Sequence, residues 1–369
     1  MNNLRIFLHS IPVIAALCVC SSAAEASTVV NVIEKGDSFL IEMPTDLMGR
    51  VFLVTNRLQK VPKELNEAGV NKGINYQNQS ARVAWDRKHD RIYIRQQRTP
   101  PEVPESDNMS ASVRDNFIDP LIASVRLESV APDSSTVTFM ANDLFNGEES
   151  YLNDVFNNIN IGNSPDTRLS RLLSIKAFEQ NLTARSELST VVYEGTDHVN
   201  ITVETTCTLT LLPEEPMQGR EETQRVGYFT SQVLSFTDRQ QVLKEKRYIN
   251  RWRLEPSDRE AYLNGQLTEP VKPIVFYIDK AVPEHLKPYI RQGILDWNEA
   301  FEAAGFRNAV QVYDFTDSLE NEGDDMKYSV LTYAASDKAN AMGPTVIDPR
   351  TGEILEADII WWHNVQSRL

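Results

Sequence analysis

Cysteine and histidine are scarce in this sequence, and their scarcity excludes several kinds of site. The 369 residues include only three cysteines and five histidines. Cys18 and Cys20 lie near the N-terminus, and Cys207 stands alone in the rest of the chain, so no internal disulfide can form once the leader is removed. Even the closest two histidines, His285 and His363, are far apart in sequence. The sequence therefore lacks the helical zinc motif, in which two imidazoles one turn apart flank a glutamate.

Several enzyme motifs built on glycine and serine are also missing. The sequence has no G-x-S-x-G nucleophile elbow, no G-x-x-x-x-G-K-[ST] phosphate loop and no G-x-G-x-x-G dinucleotide motif. Serine-hydrolase and nucleotide-binding functions therefore have no support. Cys207 lies in an apolar, strand-like run, which favours a buried structural thiol over a nucleophile or a thiol that blocks a zinc ion.

Residues 1–26 have the pattern of a secretory signal. Arg5 precedes an apolar run from Ile6 to Cys20, and Ala24-Glu25-Ala26 forms a cleavage site. The run is shorter than the ~20 residues needed to span a bilayer, and Pro12 interrupts it. We therefore expect an exported protein, periplasmic or extracellular, with no integral membrane segment after cleavage.

An acidic composition limits the partners. The formal net charge is −15, from 52 acidic and 37 basic residues. Such a charge repels phosphates, so neither nucleic acid nor an anionic membrane surface is expected as a partner. One acidic loop is a candidate for calcium binding, with a solvated loop as the alternative, because the spacing of a regular calcium loop is missing. Its acidic residues are Asp317, Glu320, Glu322, Asp324 and Asp325.

The first two thirds of the chain have a β pattern. Alternating apolar residues predict a hairpin in ARVAWDRKHDRIYIRQ, with its turn at DRKHD. A Pro-rich break at Thr99–Asn108 separates a first β-rich domain, residues 27–110, from a second β-rich region, residues 111–256. The segment RLSRLLSIKAFEQ from Arg168 is ambiguous between helix and strand, and the alternation in YINRWRL predicts a half-buried strand.

Residues 257–369 have an α/β pattern. IVFYID predicts a buried strand, and the helical spacing of apolar residues from Leu286 to Ala304 predicts one long amphipathic helix that ends at Gly305. Further strands are predicted in NAVQVYDF and KYSVLTYA, and a hairpin in TVIDPRTGEILEADIIWW with a type I turn at Asp348–Gly352. The predicted fold class is α+β, and a half-built sheet packed by one helix would leave the other face of its core exposed.

Five segments together resemble a family of secreted bacterial zinc-dependent metalloproteases. They are VGYFTSQV, KRYINRWRLEP, EPVKPIVFYID, PYIRQGILDWNEAFEAAGF and YSVLTYAASDKANAMGPTVIDPRTGEILEADIIWWHN, and they lie within Arg225–Asn364. Members of that family carry long uncharacterised N-terminal domains before a metzincin-like catalytic domain. The resemblance implies a β-rich N-terminal region followed by an incomplete metzincin-like α/β protease subdomain, the part before the H-E-x-x-H helix.

The resemblance implies hydrolysis of peptide bonds by a zinc-bound water in the complete protein, with a peptide or protein as substrate. No residue here matches the family's zinc ligands or catalytic glutamate, so this chain, as a truncated or split member, is expected to be inactive alone. A strand bordering the cleft is implied to pair with extended substrate, although it could equally be a plain sheet member. Its residues are Glu353, Ile354, Leu355, Glu356, Ala357, Asp358 and Ile359. A noncatalytic secreted β-rich binding module is the alternative function.

Overall fold

The computed structural model describes residues 28–98, 101–149, 151–195, 197–316, 324–336 and 338–368. The predicted signal segment and the loop residues Asp317, Glu320 and Glu322 lie outside these ranges. Over the ranges that are described, no helix is both long and apolar enough to cross a membrane.

Ten antiparallel strands form one large sheet. They are β1 (Asn31–Lys35), β2 (Ser38–Pro44), β3 (Val51–Lys60), β4 (Asn75–Asp86), β5 (Arg91–Gln97), β6 (Leu121–Val130), β7 (Thr136–Met140), β8 (Arg171–Ala177), β9 (Asn181–Glu194) and β10 (Asp197–Leu211). Their order across the sheet is β1-β2-β7-β6-β5-β4-β3-β10-β9-β8. The sheet curls until its two outer strands meet, because the N–H of Val29, just before β1, donates to the carbonyl of Phe178, just after β8, at 2.7 Å.

The core of this sheet follows from side chains that alternate between its two faces. Across β4 and β5, Val83 lies opposite Ile94 and Trp85 lies opposite Ile92, which confirms the predicted hairpin. Ile92 and Val54 have no exposed surface. The segment that was ambiguous in the sequence forms a strand, β8, because it pairs with β9 along its length.

The large sheet continues across residue 110, where the sequence predicts a domain boundary. β5 and β6 lie on the two sides of that position, and they pair in antiparallel register. The connections between strands carry four short helices and one 3-10 turn at Thr45–Leu47. The helices are α1 (Lys63–Glu67), α2 (Met109–Asn116), α3 (Asn142–Phe145) and α4 (Val155–Asn158).

A separate two-stranded ribbon follows, made of β11 (Thr230–Thr237) and β12 (Gln240–Ile249). The strand predicted in YINRWRL is correct only as far as Ile249. Its partner strand begins at Thr230, which lies opposite Ile249, so the ladder ends there. The chain then pairs elsewhere, since the N–H of Arg251 donates to the carbonyl of Gly352 at 2.9 Å.

The last third of the chain contains a smaller mixed sheet. Its elements are α5 (Arg259–Leu263), β13 (Ile274–Ile278), α6 (Lys287–Leu295), α7 (Asn298–Ala303), β14 (Val310–Asp314), β15 (Ser329–Ala334), β16 (Ala341–Met342), β17 (Thr345–Asp348), β18 (Glu353–Ala357) and β19 (Ile359–Trp362), with a 3-10 helix at His363–Arg368. The sheet order is β14-β13-β15-β19-β16. The first four of these strands are parallel, and β16 is antiparallel to β19. β17 and β18 form a hairpin of their own.

The long helix predicted after β13 is instead two helices, α6 and α7. At their junction the N–H of Glu299 donates to the carbonyl of Asp296 at 3.2 Å and that of Ala300 to Trp297 at 3.1 Å, which are i to i−3 bonds of a tightened turn. The predicted end at Gly305 is confirmed, because this residue has φ of 96° and follows α7 in the left-handed conformation that glycine favours.

Candidate functional site

The residues predicted to contact substrate lie between the hairpin and the mixed sheet. Glu353–Ala357 form β18, and Ile359 begins β19. The side chains of Glu353, Glu356 and Asp358 are buried, with 8%, 2% and 6% of their residue surface exposed. Contact of this segment with substrate stays a prediction, and these three carboxyl groups face partners within the protein.

Arg57 of β3 holds two of these carboxyl groups. Its Nη2 lies 2.8 Å from Oε2 of Glu356, and its Nη1 lies 2.8 Å from Oδ2 of Asp358. Its Nε donates to Oδ1 of Asn75 at 2.9 Å. The second carboxyl oxygen of Asp358 accepts the N–H of Val330 at 2.7 Å. The cluster therefore joins the large sheet to the mixed sheet through one guanidinium, each nitrogen of which has an acceptor.

Burial and the neighbouring charges shift the pKa values of Glu356 and Arg57. Burial raises the pKa of Glu356 to about 8; the charge of Arg57 opposes this shift, while the charge of Asp358 and a hydrogen bond with it add to it. Burial lowers the pKa of Arg57, but the charges of Asp358 and Glu356 outweigh it, so the net shift is upward. Near neutral pH, Glu356 thus holds a proton.

A second ion-pair network joins the same two sheets. Nη2 of Arg185, on β9, lies 3.0 and 3.1 Å from the two carboxylate oxygens of Asp324. Nη1 of Arg185 contacts Glu204 at 3.1 Å, and Lys60 contacts the other oxygen of Glu204 at 2.5 Å. The hydroxyl of Thr183 donates to the main-chain carbonyl of Asp324 at 2.9 Å. The segment before β15 is thereby fixed to the large sheet.

The two described residues of the predicted calcium loop already have cationic partners. Asp324 pairs with Arg185, and Asp325, which is 4% exposed, lies 3.0 Å from Lys327. In the part of the chain that the structure describes, no three His, Cys, Asp or Glu side chains are grouped to hold a metal ion. Calcium binding by the whole loop stays a prediction.

An apolar groove lies on the face of the mixed sheet that α6 and α7 cover in part. Its volume is about 1340 Å³. Residues of the mixed sheet, of α6 and α7, and of the segment 249–254 at the end of β12 all line it. The main lining residues are Trp252, Leu254, Ile274, Phe276, Leu286, Ile290, Ile294, Phe301, Leu331, Ile359 and Trp361.

Two arginines also line this groove. None of the residues that the structure describes forms an ion pair with Arg220 or Arg251. Nη2 of Arg251 donates to the carbonyl of Gln218 at 3.0 Å, and its Nε is buried with no partner among the described residues. Burial lowers the pKa of Arg251, the positive charges of Arg220 and Arg253 lower it further, and the charge of Glu353 opposes this shift. Arg253 differs, since it pairs with Glu353 at 2.9 Å.

The remaining candidate from the sequence, Cys207, is a structural residue. It is 1% exposed in the core of the large sheet, and burial raises its pKa to about 12, so the thiol is unreactive, as predicted. Sequence reasoning missed Arg57 and Arg185. The one signal is local to Arg57, a charged residue that follows the apolar run VFLV within its strand.

These features define a β-rich protein in which a curled antiparallel sheet is joined to a smaller mixed α/β sheet by buried ion pairs. The chain belongs to the family described as Domain of unknown function (DUF5117), whose profile matches residues 73–257. The match covers β4 to β12 and the segment that carries Arg220 and Arg251. No curated protein matches the chain, and no solved structure matches it.

Proposed function

We propose that this chain is the N-terminal portion of an exported zinc-dependent metalloprotease. The complete protein hydrolyses peptide bonds with a zinc-bound water, and this chain alone is inactive. The observation that carries the proposal is the mixed sheet, in which four parallel strands and one antiparallel edge strand, β16, are packed against helices on one face. This arrangement is the one expected of the front half of a metzincin-like catalytic domain.

The apolar groove supports the same proposal. A sheet face is stable in water when another layer of structure covers it, because burying apolar surface contributes about 25 cal/mol per Å². α6 and α7 cover one part of this face and leave about 1340 Å³ beside them. In the complete protease, the helix that carries H-E-x-x-H would lie in this space and cover the floor of the groove.

Substrate binding by strand addition needs an exposed sheet edge. β16 forms one edge of the mixed sheet, and both Ala341 and Met342 are exposed there. We place main-chain pairing with extended peptide at β16. The predicted segment Glu353–Ile359 then lies farther from the peptide than β16 does. Arg57 binds Glu356 and Asp358, and this contact would fix the start of β19. β19 is the strand with which β16 pairs.

The coding sequence after the Leu369 codon tests this function. We expect a helix with H-E-x-x-H in one of the three frames. Protein made with that segment should cleave a mixed peptide pool and lose this activity with a zinc chelator. If no frame encodes such a helix, the protease proposal is wrong and a noncatalytic binding module becomes the supported function.

Export is part of the proposal and is supported by the pattern of residues 1–26. Fusion of these residues to a reporter enzyme that is active only outside the cytoplasm provides the measurement. We expect activity with the natural leader, and no activity when Arg5 and the apolar run after it are deleted. Equal activity from both fusions would contradict export by this segment.

A further inference from the structure

A second, polar pocket lies between the large sheet and the mixed sheet, and residues of both sheets line it. We propose that this pocket binds a small zwitterion of the α-amino acid class, with Lys72 facing the carboxylate of the ligand and Asp279 facing its ammonium group. This binding site is separate from the space that the zinc helix of the proposed protease would fill. The proposal therefore does not depend on whether the complete protein is a protease.

The pocket and the apolar groove lie on opposite faces of the mixed sheet. Leu331 of β15 lines the groove, whereas its neighbours Val330 and Thr332 line the pocket, because successive residues of a strand point to opposite faces. The volume of the pocket is about 360 Å³. Small-molecule sites have volumes of about 300–1,000 Å³, so the pocket has the size expected for a compact ligand.

The position of the pocket in the mixed sheet is one at which ligands bind in this kind of fold. β13 and β15 are adjacent parallel strands, and the chain leaves them toward opposite sides, from β13 to β14 and from β15 to β19. Open α/β sheets bind ligands outside the carboxyl ends of the strands at such a reversal of strand order. Asp279 directly follows β13, Phe315 directly follows β14, and both line the pocket. The fold thus brings Asp279 to the place where a ligand is expected.

Charge is segregated between the two walls of the pocket. Among the lining residues that the structure describes, the basic side chains all come from the large sheet and its connections, and the acidic ones all come from the chain after β13. The basic residues are Arg57, Lys72, Lys176 and Arg185, and the acidic residues are Asp279, Asp324 and Asp358. Two ion pairs join the walls, Arg57 with Asp358 at 2.8 Å and Arg185 with Asp324 at 3.0 Å.

Lys72 and Asp279 are available to a ligand. Neither side chain forms an ion pair with any residue in the described part of the chain, and Lys72 is exposed while Asp279 is half-buried. Oδ1 of Asp279 accepts the N–H of Ala281 at 3.2 Å, which orients the carboxylate. The pocket therefore offers one basic and one acidic group on opposite walls, and both can form charge-assisted hydrogen bonds.

These two charges favour a zwitterion over a simple ion. A simple anion would be repelled by Asp279, and a simple cation would be repelled by Lys72. An α-amino acid carries a carboxylate and an ammonium group in one small molecule, so it can satisfy both walls at once. Its side chain would occupy the remaining volume.

The backbone that carries Lys72 is fixed against the mixed sheet. The next residue, Gly73, packs so closely on Ile360 that a Cβ built there would lie 2.8 Å from Cδ1 of the isoleucine. The N–H of Gly73 donates to the carbonyl of Leu58 at 2.8 Å. The loop before β4 is thus held to both sheets, and the position from which Lys72 extends is set before a ligand binds.

Isothermal titration calorimetry on the 369-residue chain tests the proposal, with each common L-amino acid as the probe. We expect at least one of them to bind. Its N-acetyl derivative and its amide should bind at least tenfold more weakly, because each derivative lacks one of the two charges. Asp279→Asn and Lys72→Met should each weaken binding of the free amino acid at least tenfold. Asparagine retains the oxygen that accepts the N–H of Ala281, so D279N should fold.

The two variants also assign the two charges of the ligand. D279N should lose the preference for a free over an acetylated amino group and keep the preference for the carboxylate over the amide. K72M should do the reverse, which a general loss of folding would not produce. Asp37→Asn and Lys88→Met are the matched controls, because both residues are exposed and neither lines the pocket. Both controls should bind the amino acid like the wild type.

The proposal is wrong if no L-amino acid binds, if both derivatives bind as tightly as the parent compound, or if D279N and K72M bind like the wild type. Acetate that binds as tightly as the amino acid would indicate a site for simple anions. Dipeptides that bind when no free amino acid does would indicate a peptide site. Either of these results would also reject the amino acid class. None of them bears on the protease, which the H-E-x-x-H motif and chelator-sensitive cleavage decide.

Discussion

Arg57 and Glu356 lie 299 positions apart in the sequence, and Nη2 of the arginine lies 2.8 Å from a carboxyl oxygen of the glutamate. This contact joins a strand of the large sheet to the hairpin that precedes the last strand of the mixed sheet. The buried carboxyl groups of Glu356 and Asp358 are structural, because both are held by the same guanidinium. Substitutions at these positions therefore test how the two sheets pack together, and not directly whether the segment contacts a substrate.

Replacing Glu356 with Gln should flatten the dependence of stability on pH. The pKa of Glu356 is about 8 in the folded chain, above its value of about 4.3 in an unfolded chain. The folded state thus binds this proton more tightly, so the stabilisation is full below about pH 4.3 and is lost as pH rises through about 8, at a cost of a few kcal/mol. E356Q stays neutral throughout and should be the more stable protein at pH 9.

Urea unfolding of wild type and E356Q at pH 5, 7 and 9 measures this difference. The free energy of unfolding of the wild type should fall relative to E356Q between pH 5 and 9. Parallel pH profiles for the two proteins would show that Glu356 does not titrate in this range.

Removing the guanidinium of Arg57 should destabilise the chain strongly. Arg57→Met leaves Asp358 buried as an unpaired charge, and breaking a buried ion pair in this way costs about 3–5 kcal/mol. Arg168→Met is the matched control, because Arg168 is 85% exposed in its pair with Asp166, and such pairs contribute about 0–1 kcal/mol. Denaturant midpoints compare the two variants, and similar losses would argue against a structural role for the Arg57 cluster.

Arg185 and Asp324 should be energetically coupled to each other through their ion pair. A double-mutant cycle with Arg185→Met and Asp324→Asn should give an interaction energy of about 1–3 kcal/mol, since residues within one half-buried ion-pair network couple at this level. The control cycle uses Arg171 and Glu187, whose side chains are 68% and 35% exposed, and should give less than about 1 kcal/mol. Equal coupling in the two cycles would mean that Asp324 does not fix its segment to the large sheet.

Gly352 should tolerate substitution by alanine less well than Gly36, which also has a positive φ. Gly352 has φ of 77°, and a Cβ there would lie 2.6 Å from the carbonyl oxygen of Ile249. Gly36 has φ of 60° and open space around it. Gly36→Ala should cost about 1–2 kcal/mol from backbone strain alone. Gly352→Ala should cost about 1–3 kcal/mol more, because a main-chain atom must move.

Thermal unfolding of the two alanine variants measures this contrast. A similar loss of stability in both would mean that the hairpin turn can move away from Ile249. In that case the pairing of Arg251 with Gly352 would not hold residues 249–254 against the mixed sheet.

Local patterns in the sequence determined much of the secondary structure. The hairpin of β4 and β5, the strands β13 to β15 and the stop at Gly305 all follow from side-chain alternation, helical spacing or glycine's freedom at positive φ. The single helix was wrong at Asp296–Trp297, since spacing alone cannot distinguish a continuous helix from two helices joined by a tight turn.

Only the tertiary structure decided which distant residues meet. Nothing near Arg57 in the sequence indicates Glu356 or Asp358, because partner choice depends on sheet order and register, and local periodicity records neither. The groove and its two arginines are set in the same way, by the fold that brings residues 249–254 against the mixed sheet. The sequence by itself determined many of the elements, and the packing of the two sheets decided which buried charges pair and where the apolar groove forms.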